Sequence, residues 1–116
     1  KLMFSLNESN HFVVCVYGVD LRKGLNGLCG IIRYQSLTPT NGDVYVFFNN
    51  NITTMKLVHW ERGGFVVYYK RLERGRMSHK IFQHEEVGFR TYRWDELVLL
   101  MEGISPGIKR RKRYNL

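Results

Sequence analysis

The chain has no run of about 18 apolar residues, the length a helix needs to cross a bilayer, so no membrane span is expected. There are only 2 prolines and 2 cysteines, Cys15 and Cys29, and no CxxC pair. The opening residues KLMFSLNESN lack the apolar core of a secretory leader. Both thiols are therefore expected to be reduced in a cytoplasmic protein. Acidic residues are scarce. The three aspartates, Asp20, Asp43 and Asp95, each fall where a cap or turn would put them. A metal-dependent nucleotidyl transferase needs converging carboxylates to hold two ions, in a far longer chain. A restriction-type nuclease places an acid two residues before a lysine on a strand, and no Asp or Glu here has that neighbour. The nearest stand-in is Glu61-Arg62 beside Asp43. His11, His59, His79 and His84 lack the spacing of a structural zinc site, and the cysteines are not paired with them. No serine sits in a nucleophile elbow. Neither a catalytic residue, a metal site nor a cofactor is expected.

What the sequence does hold is a basic balance placed locally. The net charge is +8 over 116 residues. Five consecutive cations, Lys109, Arg110, Arg111, Lys112 and Arg113, form one cluster. Lys56, Arg62, Lys70, Arg71, Arg74 and Arg76 form a second, against only Glu61 and Glu73, and the remainder is nearly neutral. Local basicity points to nucleic acid or an acidic protein more than to general solubility. The plainer alternative is a solvated basic surface.

The second cluster lies in MKLVHWERGGFVVYYKRLERG (55–75), which reads as a hairpin turning at Gly63-Gly64. A two-residue turn there sets Arg62 opposite Phe65 and continues through Trp60–Val67 and Val58–Tyr69. It ends on a like-charge pair, Lys56–Arg71, which a sheet tolerates poorly without an anion. Aromatics beside cations are the residue types that stack on bases, yet an aromatic stripe on a strand is more often core. The arginines at the turn and in the 73–76 loop are the better contacts.

Elsewhere, HFVVCVY (11–17) is a near-continuous apolar run, a strand buried on both faces. Asp20 is placed as the N-cap of a helix over 21–34. Within it Gly24, Gly27 and Gly30 recur every three residues, a flat stripe suited to close packing on the sheet. A phosphate at the helix start beside Arg22 and Lys23 is the functional alternative. DVYVFF (43–48) is a second strong strand, and Asn49-Asn50-Asn51 a turn. Residues 1–10 read as a polar, poorly ordered lead, and His84, Glu85 and Glu86 as an exposed loop. In WDELVLLMEG (94–103), Leu97, Leu100, Met101 and Ile104 fall on one helical face, with Asp95 and Glu96 in the first turn. Gly103 ends the helix and Ser105-Pro106-Gly107 breaks away from it.

The expected fold is α+β. A mostly antiparallel sheet, with strands near 12–17, 43–48, 53–61, 65–72 and 89–92, carries two helices, 21–34 and 94–103. One globular domain over 1–108 precedes a basic tail over 109–116.

DLRKGLNGLCGII (20–32), GDVYVFFNN (42–50), the hairpin, WDELVLLMEGI (94–104) and KRRKRY (109–114) closely resemble the TnpB-type accessory proteins of insertion-sequence family 66, encoded by the element's second reading frame. They are unrelated to the RNA-guided nucleases that share the TnpB name. The likeness spans about Phe4 to Tyr114 and is weakest over 37–41 and 77–92. It implies a bacterial protein that assists a separate transposase without itself carrying the catalytic acids. Family members often have Ser or Thr before the tryptophan of the last helix; here the residue is Arg93. The expected function is a non-catalytic transposition accessory protein that contacts DNA, at the element ends, through the hairpin cations and the 109–113 tail. The alternative is an adaptor that docks on the transposase with no direct DNA contact.

Overall fold

Strand β1 (Phe12–Cys15) and strand β2 (Val44–Phe48) are apolar at every position, and every one of those side chains is buried. A strand without polar alternation needs cover on both faces. The computed structural model, which describes residues 6–82 and 88–102, shows that cover. Helix α1 (Leu25–Tyr34) contributes Leu28 and Ile32 to a core with Val13, Cys15, Tyr45 and Phe47. Helix α2 (Trp94–Met101) and a 3₁₀ segment (His79–Phe82) place Leu97 and Ile81 in the opposite core with Phe12, Val14, Val46 and Phe48. Full burial of each large apolar side chain contributes about 1.5–3 kcal/mol, so the central pair anchors the fold from both sides.

The sheet has the order β4-β3-β2-β1-β5, adding β3 (Thr54–Glu61), β4 (Gly64–Arg71) and β5 (Phe89–Tyr92). β1 and β2 are parallel and are joined across one face by α1; every other pairing is antiparallel. The α+β expectation and the 43–72 meander are both met. Among the described residues no helix is long and apolar enough to cross a membrane.

Four local expectations are corrected. The hairpin turns at Arg62-Gly63 rather than Gly63-Gly64, with both residues at positive φ (55° and 80°). Gly64 instead takes a strand position opposite Glu61. The register moves by two residues, so Trp60 faces Phe65, Val58 faces Val67 and Lys56 faces Tyr69. This frame pairs two aromatic rings at 4.9 Å and sets the Lys56 ammonium 5.9 Å from the Tyr69 ring centre. It also removes the Lys56–Arg71 repulsion, since Arg71 faces Thr54. A shift of two preserves parity, so Val58, Trp60, Phe65, Val67 and Tyr69 share one face in either frame.

Helix α1 starts at Leu25, not near residue 21, and its N-cap is Gly24. Asp20 caps its own short turn instead, accepting the Arg22 N–H at 3.0 Å. The glycine stripe points to solvent: a β-carbon on Gly24 or Gly30 would meet nothing within 4 Å, and one on Gly27 would meet only the flexible Lys23 side chain. The helix buries Leu28, Cys29 and Ile32 on its other side, so the sheet contact is made by branched residues. Finally, residues 6–10 are not loose. Asn7 accepts from the Ser9 N–H at 2.8 Å, and Leu6 packs on the core. The loop at His84–Glu86, the helix end at Gly103, Ile104, the Ser105–Gly107 break and the tail 109–113 lie outside the described residues.

Candidate nucleic-acid interface

Because β1 and β2 are parallel, the loop after β1 and the turn after β2 leave the sheet at the same end. They are tied together there: the Val19 N–H donates to the Phe48 carbonyl at 2.9 Å. The turn after β2 is closed by Asn49. Its Oδ1 accepts from the Thr53 and Thr54 N–H groups at 2.9 and 3.1 Å, while its Nδ2 donates to Thr53 Oγ1 at 2.9 Å. Ile52, buried in the core, is held at φ 57°, a conformation that β-branched residues rarely adopt.

β3 begins and β4 ends at this same end of the sheet. The chain beyond β4 then passes along the asparagine turn, where the Met77 N–H donates to the Ile52 carbonyl at 2.8 Å. Lys70, Arg71, Arg74 and Arg76 are therefore delivered to the end where Arg22 and Lys23 enter from the loop before α1. Lys56 joins the two groups: its Nζ lies 3.4 Å from the Lys23 carbonyl oxygen, to which it donates. A cleft of about 490 Å³ opens beside Arg22, lined also by Asp20, the three asparagines 49–51, Thr54 and Tyr69.

Two acids temper the charge. Asp20 pairs with Arg22 through Nη2–Oδ2 at 2.8 Å and Nε–Oδ1 at 3.0 Å. Hydrogen bonds from the Arg22 guanidinium and backbone hold its carboxyl well below the usual range. Glu73 stands exposed between Leu72 and Arg74. The cations still outnumber the acids at this end.

The expected contact residues are not all gathered here. Arg71, Arg74 and Arg76 are exposed at the basic end. Lys70 is there too but on the other face of the sheet, opposite Met55 and half-buried. Arg62 is exposed at the hairpin tip, nine strand residues and so about 30 Å from Arg71. Lys109, Arg110, Arg111, Lys112 and Arg113 lie outside the described residues. Arg22 and Lys23 stand out in the sequence only as part of a helix start. The approach of Lys23 to Lys56 depends on the parallel β1–β2 crossover, which leaves no local signature.

The nuclease arrangement loses its geometric basis. Asp43 shares the face of Tyr45, whereas Glu61 shares the opposite face of Met55 and Leu57. Asp43 is occupied by His11 Nδ1 at 3.2 Å and by Asn41 Nδ2 at 3.2 Å. Glu61 lies 3.3 Å from His59 Nε2. Among the described residues no group of three or more His, Cys, Asp or Glu could hold a metal ion. Cys15 and Cys29 are free and buried, and burial pushes both thiols up.

A curated relative, the uncharacterized protein y4jC of Sinorhizobium fredii (strain NBRC 101917 / NGR234), is 29% identical over 111 residues, covering 95% of this chain and 92% of the relative. No solved structure matches the chain significantly. The model of the family described as IS66 Orf2 like protein matches residues 10–111, a span that holds every strand from β1 to β5 and both helices, and the chain belongs to that family.

Proposed function

We propose that this chain is a non-catalytic accessory protein of an IS66-type transposition system and that it contacts DNA phosphates through the basic end of its sheet. Family membership supports the accessory role. The observation that carries the DNA contact is the delivery of Arg22, Lys23, Lys56, Arg71, Arg74 and Arg76 to one end of the sheet, where Arg22 and Tyr69 line a polar cleft. Cations on strand ends and loops neutralise phosphates and release counterions, which gives affinity without sequence choice. The tail cations 109–113 would add a second phosphate anchor, and lone Arg62 at most one contact.

The test is binding to duplex DNA, both element-end and random, across a salt series. The slope of log affinity against log salt should be steep. It should fall by about 0.9 for each phosphate left without its cation when Arg71, Arg74 and Arg76 are changed to Ala. Arg33→Ala, at the far end of α1, serves as the control. Salt-insensitive binding, or a triple variant with an unchanged slope, sinks the DNA reading. The adaptor reading draws on the exposed apolar side chains Val66, Val67 and Tyr69 on β4. Co-purification with the transposase that survives nuclease treatment and high salt would favour it.

A further inference from the structure

Strand β4 ends the sheet, and among the described residues no strand lies beyond it. The Leu72 N–H donates to the Thr53 carbonyl at 2.9 Å, which fixes the phase of the ladder. Even-numbered residues of β4 turn their backbone groups toward β3, so Phe65, Val67, Tyr69 and Arg71 turn theirs outward. Three of the large hydrophobic side chains most exposed on the described surface, Val66 (37%), Val67 (43%) and Tyr69 (55%), fall on this one edge. Long apolar edges are normally blunted by a bulge, a proline or an inward-pointing charge. β4 has no proline, its ladder to β3 is unbroken, and its cations, Lys70 and Arg71, stand only at its last two positions.

We propose that β4 pairs with β4 of a second copy, antiparallel about a two-fold axis at Val67, to form one continuous ten-stranded sheet. The sequence of the strand selects the partner and the frame. Centred on Val67, the strand meets its copy with Val67 on Val67, Phe65 on Tyr69 and Val66 on Tyr68, while Lys70 faces Gly64 and Arg71 faces Gly63. Every apolar residue meets another, and each cation meets a glycine. A centre at Tyr68 sets Phe65 on Arg71 and Val66 on Lys70, and a centre at Lys70 sets that lysine on itself. The Val67 frame also makes Val67–Val67 and both Phe65–Tyr69 pairs hydrogen-bonded ones, using the outward backbone groups. The interface is isologous and closes at two copies, so it covers the edge without propagating. It stands apart from the DNA reading, and salt separates the two. Phosphate contacts weaken as salt rises, whereas this junction should persist, because salt screens the cations gathered at its ends.

Sedimentation of nuclease-treated protein in high salt reads the outcome. The wild-type chain should sediment as a dimer. Val67→Lys should be a folded monomer by circular dichroism, because its side chain is already half exposed and only the dimer sets the two copies of position 67 against each other. Val67→Glu should behave likewise, and an equimolar mixture of the two variants should restore the dimer. A wild-type monomer overturns the proposal, whether another segment of this chain or a strand of a different protein takes the edge. So does a dimer that persists in Val67→Lys, or a mixture of folded variants that stays monomeric.

Discussion

The α-carbon of Asn50 lies 2.8 Å from where a β-carbon on Gly18 would stand. That approach cannot open cheaply, because the Val19–Phe48 hydrogen bond and the Asn49 side chain fix the two loops on either side of it. Gly18→Ala should therefore destabilise the fold by about 1–3 kcal/mol through overpacking. Gly30→Ala has the opposite sign. It sits inside an exposed stretch of α1 with nothing near its β-position, and should stabilise by about 0.5–1 kcal/mol. Urea midpoints of the two variants check both signs. A destabilising Gly30→Ala would mean that the glycine stripe touches something in solution.

The glycines show where the sequence was and was not legible. Period and composition placed every strand and both helices, because β1 and β2 are apolar throughout and α2 repeats Leu97, Leu100 and Met101 on one face. Which glycine makes a close approach was not readable, since that depends on Asn50 arriving from a distant turn. The hairpin frame is not legible for a related reason. Gly-Gly advertises a tight turn, but the observed frame sets Trp60 on Phe65 and Lys56 on Tyr69 and puts Arg62 at positive φ. The candidate site was legible as a set of cations; its shape was not. Arg62 and Arg71 fall at opposite ends of the hairpin in either frame, but nothing local in the sequence brings Lys23 to Lys56.

Arg62 carries the cost of that turn. Both central residues of a two-residue turn of this type take positive φ, where Asn and Gly are favoured and a side chain such as arginine pays about 1 kcal/mol or more. Arg62→Asn should raise stability by about 0.5–1 kcal/mol, read as a higher urea midpoint at unchanged slope. An unchanged or lower midpoint would show that the Arg62 side chain makes a compensating contact in solution.

Asp20 gives the pH prediction. Hydrogen bonds from the Arg22 guanidinium, and then from the Arg22 backbone, lower its folded-state carboxyl from the ordinary 3.8. A carboxyl lowered on folding adds stability above its unfolded-state value and loses it as pH falls through the folded one. The Asp20–Arg22 turn should thus stay intact through mildly acid pH and release only below the usual aspartate range. Carboxyl chemical shifts followed by NMR should place the Asp20 titration below 3.8, and Arg22→Ala should return it toward that value. A titration that Arg22→Ala leaves in place would contradict the pairing.

The start of α2 tests how the chain manages without a capping side chain. Arg93 occupies the N-cap, and its side chain turns to Asp95, with Nε–Oδ1 at 3.1 Å, rather than to the helix amides. Half of a capping box remains: the Arg93 N–H donates to Glu96 Oε1 at 2.8 Å. Removing that acceptor with Glu96→Ala should cost about 0.5–1 kcal/mol, and Glu96→Gln, which keeps an oxygen there, less. Arg93→Ser should act in the other direction, since a serine hydroxyl can accept from the Glu96 N–H and complete the box. The Arg93–Asp95 pair it removes is largely solvent-exposed and contributes little. α2 carries Leu97 in the core and Trp94 against Phe12 at 5.3 Å, so a better-capped start should raise the global unfolding midpoint and not merely the local helicity. A midpoint unmoved by both Glu96→Ala and Arg93→Ser would mean that packing of Leu97 and Trp94 alone sets where this helix begins.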